Sequence, residues 1–275
     1  MDAFFLPVVG SGQRFAIYHP AQGGTTRGLI AYIHPFAEEM NKSRRMAALQ
    51  ARALAACGYA VLQLDLLGCG DSSGDFGDAS WQSWVDDVVL ACQWLRRQGN
   101  APLWLWGLRA GCLLAAQAAT QLNETCNFLF WAPTAAGKPL LQQFLRLKAA
   151  GDMASGNAKA MMDSLRQQLA AGKSVDIAGY TLAANLALGL EQATLAAPTA
   201  AGRLEWLDLS TQVNASLAPA SVKPLQAWKA AGFTVRSQIV MGPAFWQTNE
   251  IEEAPALIPA TVAALATSTF ATLPA

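Results

Sequence analysis

Residues Trp104–Gly111 (WLWGLRAG) carry the strongest structural signal in this chain of 275 residues. They end an apolar run, Pro102–Gly107, that predicts a strand, and they open a small and apolar run, Arg109–Leu122, that predicts a helix. Gly107 and Gly111 allow a turn so tight that the residue midway between them is pushed up at the carboxyl end of the strand. That residue is Arg109.

Strands and helices alternate at short spacing on both sides of this turn. Continuous apolar runs predict strands that are buried on both faces, and periodic apolar residues between them predict helices. The predicted strands are Gly28–Ile33, Tyr59–Leu66, Asn127–Trp131 and Arg203–Leu209, and the predicted helices include Asn41–Cys57 and Trp81–Gln98. Such alternation is typical of a mostly parallel central sheet with helices on both faces.

One long stretch interrupts the alternation. Residues 139–196 are rich in alanine and glutamine and contain no clear buried strand. We therefore expect a helical cap insertion over one end of the sheet, at residues 138–200, within a single domain that spans residues 1–275.

Two motifs together predict the α/β-hydrolase fold. Such proteins carry Gly-x-Ser-x-Gly at this strand-to-helix turn, and here Arg109 takes the place of the serine. The loop Asp65–Ser72 fits the pattern Asp-x-x-Gly-x-Gly-x-Ser of the same proteins. A dinucleotide-binding loop is the alternative, but the acids Asp71 and Asp75 would repel a pyrophosphate and no helix starts there. We expect no cofactor.

Composition excludes several classes of function. The chain has 19 lysine and arginine residues and 19 aspartate and glutamate residues, and this lack of net charge argues against nucleic-acid binding. Five cysteines without a CxxC pair and only two histidines make a metal site improbable and fit reduced thiols. The N-terminus lacks the basic segment of a signal peptide, and no apolar run is long enough to span a membrane. We expect a cytoplasmic protein without stable membrane insertion, as a monomer or a homodimer.

Arginine at position 109 changes the chemistry of the turn. A guanidinium stays protonated and is a poor nucleophile, but it can bind a carboxylate or a phosphate or hold an oxyanion. A structural ion pair, with Glu38 or Glu39 in the loop after the third strand, is the equally weighted alternative. Phe36 in that loop could donate its backbone N–H to an oxyanion, whereas Pro35 has no N–H.

The partners of a serine nucleophile are also missing from their expected places. The general base is normally a histidine after the last strand, and this chain has no histidine after His34. Asp208 lies just before the loop that normally carries the acid. A pair formed by His34 and Ser72 is an alternative, although a structural role for His34 is favoured.

The assembled motifs resemble the exosortase A system-associated hydrolases of type 2. The resemblance rests on five segments: His34–Arg45, Asp65–Ser72, Gly107–Gly111, Ile177–Tyr180 and Gly242–Trp246. It implies the α/β-hydrolase fold, a hydrolase activity and an association with bacterial exopolysaccharide and protein-sorting loci, but no substrate.

Two hypotheses follow for function. The first is a hydrolase with an atypical or degenerate triad that acts on an ester- or acyl-type small molecule. The second is an accessory or ligand-binding pseudoenzyme in which Arg109 binds an anion. The predicted catalytic positions are Arg109, His34 and Asp208. The predicted ligand-binding positions are Phe36, Glu38, Glu39, Asp65, Ser72 and Trp246.

Overall fold

The computed structural model describes residues 1–151 and 158–266. Within these ranges the strands are β1 (Asp2–Pro7), β2 (Gln13–His19), β3 (Gly28–Ile33), β4 (Tyr59–Leu64), β5 (Leu103–Leu108), β6 (Cys126–Trp131), β7 (Val175–Ile177), β8 (Tyr180–Leu182), β9 (Arg203–Ser210) and β10 (Thr234–Met241). The helices are α1 (Glu38–Ala56), α2 (Trp81–Gln98), α3 (Ala110–Ala119), α4 (Lys138–Gly151), α5 (Ala158–Ala170), α6 (Ala184–Gln192), α7 (Pro219–Ala230) and α8 (Leu257–Ala266).

The central sheet has eight strands in the described residues, in the order β1-β2-β4-β3-β5-β6-β9-β10. From β4 to β10 all neighbours are parallel, whereas β2 runs antiparallel to both β1 and β4. Every residue of β3 and β5 is buried, because helices cover both faces of the sheet. The predicted α/β-hydrolase fold is confirmed.

Alternate side chains of β3 enter two separate cores. Leu29 and Ile33 pack with residues of α2 and α3 on one face. Ile30 and Tyr32 pack with residues of α1 and α8 on the other face. Burying a side chain of this size stabilises the fold by roughly 2 kcal/mol, so each face of the strand fixes a helix layer.

Two elements depart from the sequence prediction. Asp2–Pro7, for which the sequence predicted no element, forms an edge strand that pairs with β2 and with no other strand of the described residues. Helix α1 begins at Glu38 instead of Asn41, after Ala37, which has a φ of 49° and offers no side-chain cap. Because no capping residue marks this start, the sequence placed it one turn too late.

The stretch between β6 and β9, where the sequence predicted a helical cap insertion at residues 138–200, contains α4, α5 and α6 and also a two-stranded hairpin, β7 and β8. The expectation of no buried strand there is wrong. Ala178 and Gly179 have φ values of 48° and 86°, the sign pattern of a tight two-residue hairpin turn. Strands of three residues are too short to show an apolar period, which is why the sequence did not reveal them.

Within the described ranges, no helix is both long enough and apolar enough to cross a membrane.

Candidate functional site

Arg109 occupies the turn between β5 and α3 in a strained backbone conformation. Its φ of 55° and ψ of −115° lie in a region that residues with a side chain rarely adopt. Holding a residue there costs on the order of 1–3 kcal/mol, which the surrounding structure must offset. The turn therefore pushes the Arg109 side chain up at the carboxyl edge of the sheet, as the motif predicts.

The two glycines of the motif are required by close packing. A Cβ on Gly111 would lie 2.2 Å from the carbonyl oxygen of Ile33, and one on Gly107 would lie 2.6 Å from the backbone nitrogen of Cys112. Both distances are far inside van der Waals contact. Helix α3 can thus start directly against β3 only with glycine at position 111, and directly against β5 only with glycine at position 107.

Among the residues that the structure describes, three side chains surround the Arg109 guanidinium. Its Nε lies 3.4 Å from Oε1 of Glu39, and its Nη2 lies 3.4 Å from Oε1 of Gln143 on α4. The guanidinium carbon also lies 5.5 Å from the ring centroid of Trp246, within the range of a cation–π contact. The Arg109 side chain is 15% exposed, so part of it still faces solvent-accessible space.

Glu39 is an unusual carboxylate because it is buried. Burial raises the pKa of Glu39 to about 7, against the opposing effect of the Arg109 charge, and neighbouring Glu38 raises it further. Burial also raises the pKa of Glu38. One oxygen of each carboxylate, Oε2, is buried without a hydrogen-bond partner. Near neutral pH, Glu39 can therefore exchange a proton beside the guanidinium.

A cavity of about 450 Å³ opens next to Arg109 at this edge of the sheet. Ligand cavities in proteins are typically 300–1,000 Å³. Its wall combines polar side chains with apolar and aromatic ones; they include Arg109, Thr134, Trp206, Asp208, Ser210, Gln212, Ser221, Ile239 and Trp246. The cavity thus joins three residues that the sequence selected, Arg109, Asp208 and Trp246.

Two hydrogen bonds to one carboxylate oxygen hold the Asp208 side chain in place. Its Oδ2 accepts a hydrogen bond of 2.9 Å from Nε1 of Trp206 and a longer one of 3.5 Å from the Ser221 hydroxyl. Burial raises the pKa of Asp208, while these hydrogen bonds and the Arg109 charge act in the opposite direction. The ion-pair partner of Arg109 is Glu39, so Asp208 and Arg109 face the same cavity without being paired to each other.

Phe36 and the two glutamates form a second, much smaller space. Phe36 packs edge-to-face against Phe76, Trp84 and Phe144. Together with Glu38 and Glu39 it lines a void of about 10 Å³, which is close to the smallest volume that holds one water molecule. The Phe36 side chain is thus part of the core.

Asp65 and Ser72 lie outside the Arg109 cavity. Asp65 accepts hydrogen bonds from Arg44 and from the backbone of Asp71. The Ser72 hydroxyl donates to the carbonyl of Asp65 and accepts from the backbone N–H of Phe15. Asp65 therefore joins the glycine-rich loop to α1 and Ser72 joins it to β2, and the structure does not bring either side chain to the Arg109 cavity.

His34 has both ring nitrogens engaged by the backbone. Its Nδ1 lies 2.8 Å from the carbonyl oxygen of Pro35, and its Nε2 accepts a hydrogen bond of 3.3 Å from the N–H of Leu66. Burial lowers the pKa of His34, which favours the neutral ring with its proton on Nδ1. This geometry leaves no nitrogen for a base and speaks for a structural role, not the catalytic one considered from the sequence.

Sequence reasoning missed four side chains of the site. Gln143 comes from the cap, Trp206 and Ser221 hold Asp208, and Gln247 approaches Glu39. None of them belongs to a motif. Within the described residues, no cluster of three or more histidine, cysteine or acidic side chains could hold a metal ion.

Solved structures with the same fold come from several hydrolases. Est1E from Butyrivibrio proteoclasticus, solved with bound ferulic acid, has a TM-score of 0.66 at 16% identity. The superposition covers 95% of this chain and 97% of the Est1E chain. A monoglyceride lipase from Saccharomyces cerevisiae has a TM-score of 0.63 at 13% identity. The superposition covers 96% of this chain and 94% of the lipase chain. Identities this low show the fold alone.

No curated protein matches the chain in sequence. A family model does match, and it spans residues from the turn before β3 to the start of β8, including the Arg109 turn and helix α1. The model, described as serine aminopeptidase, S33, covers residues 24–180, more than half of the chain, and the protein therefore belongs to this family of α/β-hydrolases.

Proposed function

We propose that this protein binds a small anionic molecule at Arg109 and does not form a covalent acyl intermediate. The supporting observation is the position of the guanidinium at the apex of the turn, where it faces a cavity of about 450 Å³. A guanidinium offers a planar set of donors that suits carboxylate and phosphate, and it cannot attack a carbonyl carbon as serine does.

The backbone around Arg109 supports the same function. Ala110 starts helix α3, and the first N–H groups of a helix have no partner within the helix. Such N–H groups favour negative charge, as the guanidinium does. The fold feature that stabilises an oxyanion in a hydrolase would here stabilise a bound anion.

Binding of simple anions tests this proposal. Calorimetric titration with caproate and with inorganic phosphate should show binding to the wild type and a loss of affinity of about tenfold or more in Arg109→Gln. Arg97→Gln, which removes an exposed arginine from α2, is the matched control and should bind like the wild type. Equal affinity in the wild type and Arg109→Gln would reject an anion site at Arg109.

A second function, hydrolysis of an ester- or acyl-type compound by direct attack of water, is supported by Glu39. A carboxylate with a pKa of about 7 can take a proton from water as the water oxygen bonds to the carbonyl carbon. Arg109 would stabilise the negative charge on the carbonyl oxygen of the tetrahedral intermediate. The bond between the carbonyl carbon and the leaving oxygen would then break, and the leaving oxygen would take the proton that Glu39 had accepted from water. Turnover of acyl esters that disappears in Glu39→Gln would favour this function over binding alone.

The resemblance to exosortase-associated hydrolases supports a role in exopolysaccharide production or protein sorting in the cytoplasm. We propose that the ligand is a small molecule of that process and that the protein works as a monomer or a homodimer. Deletion of the gene in its natural host should reduce secreted exopolysaccharide or the processing of sorted proteins. Unchanged amounts of both would reject this role.

A further inference from the structure

The cavity beside Arg109 carries opposite charges on its wall. Arg109 comes from the turn after β5, and Asp208 comes from the carboxyl end of β9, which is separated from β5 by β6. Burial raises the pKa of Asp208 and the charge of Arg109 acts against this rise, so the two groups lie close enough to influence each other. Because the ion-pair partner of Arg109 is Glu39, the cavity keeps a cationic group and an anionic group that do not neutralise each other directly.

Arg109 retains donors for a ligand. A guanidinium has five N–H groups. In the described part of the chain, one is directed at Glu39 and one at Gln143, both at 3.4 Å, which is long for bonds that involve a charged group. The remaining N–H groups, on Nη1 and Nη2, have no hydrogen-bond acceptor among the described residues.

Asp208 retains an acceptor. Both of its hydrogen bonds, from Trp206 and from Ser221, arrive at Oδ2, and Oδ1 has no donor among the described residues. Trp206 and Ser221 also line the cavity, so they fix the carboxylate plane at its wall. A neutral hydroxyl on a ligand could bond to Oδ1, but only a cation would also compensate the carboxylate charge.

We propose that the ligand of this cavity is a zwitterion, a compound whose carboxylate binds Arg109 and whose primary ammonium group binds Asp208. This inference rests on the proposed anion site and adds the second charge. Apolar groups such as Ile239 and Trp206 lie along the same wall and would contact the carbon chain between the two charged ends.

Matched pairs of small molecules test the proposal. The amino acids glycine, β-alanine, γ-aminobutyrate and ε-aminocaproate are compared by calorimetry with the acids that lack the amine: acetate, propionate, butyrate and caproate. One amino acid of the series should bind about tenfold or more tightly than its matched acid. Which one does so depends on the distance between Arg109 and Asp208, because the ammonium and carboxylate groups must reach both residues. Asp208→Asn should remove this advantage.

Asp208→Asn keeps the shape of the side chain and the acceptor for Trp206, so it preserves the cavity wall. Asp86→Asn, an exposed carboxylate on α2, is the matched control and should retain the advantage of the amino acid. Equal affinity for both members of every pair, or an advantage that survives in Asp208→Asn, would overturn the zwitterion while leaving the anion site intact. Failure of the acids and of phosphate to bind would overturn the proposed function itself and the zwitterion with it.

Discussion

The Nε atom of Arg109 lies 3.4 Å from Oε1 of Glu39, which joins the apex of the turn after β5 to the first turn of α1. Both side chains are largely buried, with 15% and 6% of their surfaces exposed. In a buried pair the cost of removing charges from water competes with their attraction. The raised pKa of Glu39 shows that burial outweighs the attraction of Arg109, so the charge state of the pair changes near neutral pH.

Glu39→Gln should change how stability depends on pH. The folded-state pKa of about 7 lies above the ordinary value of 4.5, so between these values the folded protein holds a proton that the unfolded chain has lost. The free energy of unfolding of the wild type therefore falls as pH rises through this range. Relative to the wild type, Glu39→Gln should gain up to about 3 kcal/mol between about pH 5 and 8.

Chemical denaturation at a series of pH values measures this difference. Glu252→Gln removes an exposed carboxylate of the segment between β10 and α8 and serves as the matched control. Its free energy of unfolding should stay parallel to that of the wild type. A difference between Glu39→Gln and the wild type that stays flat with pH would show that Glu39 does not hold its proton in the folded protein.

Arg109→Ser should not create a serine hydrolase. The hydroxyl would lie at the apex of the turn, but neither described histidine is available there as a general base. His34 is hydrogen-bonded to Pro35 and Leu66, and His19 is hydrogen-bonded to Gln63. Without a base, a serine hydroxyl stays protonated and is a weak nucleophile. A fluorophosphonate probe should therefore leave Arg109→Ser unlabelled under conditions that label a serine esterase. Stoichiometric labelling at position 109 would reveal a base that this geometry does not provide.

The sequence predicted the fold and the turn of Arg109 because both depend on local patterns. Apolar strand runs and two glycines at fixed spacing are visible without tertiary contacts. The choice of Glu39 over Glu38 as partner was not predictable, since neighbouring residues of a helix point about 100° apart. Which of them faces Arg109 depends on where α1 starts, and the strained Ala37 sets that start without a capping residue.

The directions of the side chains in the loop after β4 were also not predictable from the sequence. Asp65 and Ser72 follow β4 and belong to the motif that identified the fold, so a ligand role was a natural prediction. The Asp65 side chain instead bonds to Arg44 and to the N–H of Asp71. The Ser72 hydroxyl bonds to the Asp65 carbonyl and to the N–H of Phe15, a contact that depends on how the glycine-rich loop lies against β2. Side-chain direction in a loop is decided by long-range contacts that no local pattern encodes.

Gly111→Ala should destabilise the protein strongly. The new Cβ would lie 2.2 Å from the carbonyl oxygen of Ile33, a backbone atom that cannot move without shifting β3. Overpacking of this kind typically costs about 1–3 kcal/mol, and more where rigid backbone is involved. Gly24→Ala is the matched control, because a Cβ there meets nothing within 4 Å. Equal midpoints of thermal unfolding for the two variants would mean that α3 can move away from β3 at little cost.

Asp87→Ala should cost far more stability than the loss of an exposed ion pair. The Asp87 carboxylate accepts a 2.7 Å bond from Nε of Arg14, and it also accepts a 2.7 Å bond from the N–H of Leu67. The side chain of Arg14 is 1% exposed, so removing Asp87 leaves a buried charge without its counter-ion. Breaking such a pair costs about 3–5 kcal/mol.

The exposed pair between Lys138 and Glu191 provides the comparison for this variant. Its nitrogen and oxygen lie 3.6 Å apart, and the side chains are 61% and 45% exposed. Exposed pairs contribute less than about 1 kcal/mol, because water and salt screen the two charges. Denaturant titration should therefore rank Glu191→Ala close to the wild type and Asp87→Ala far below it. If the two variants lost similar amounts, the pair between β2 and α2 would contribute no more to stability than a surface contact does.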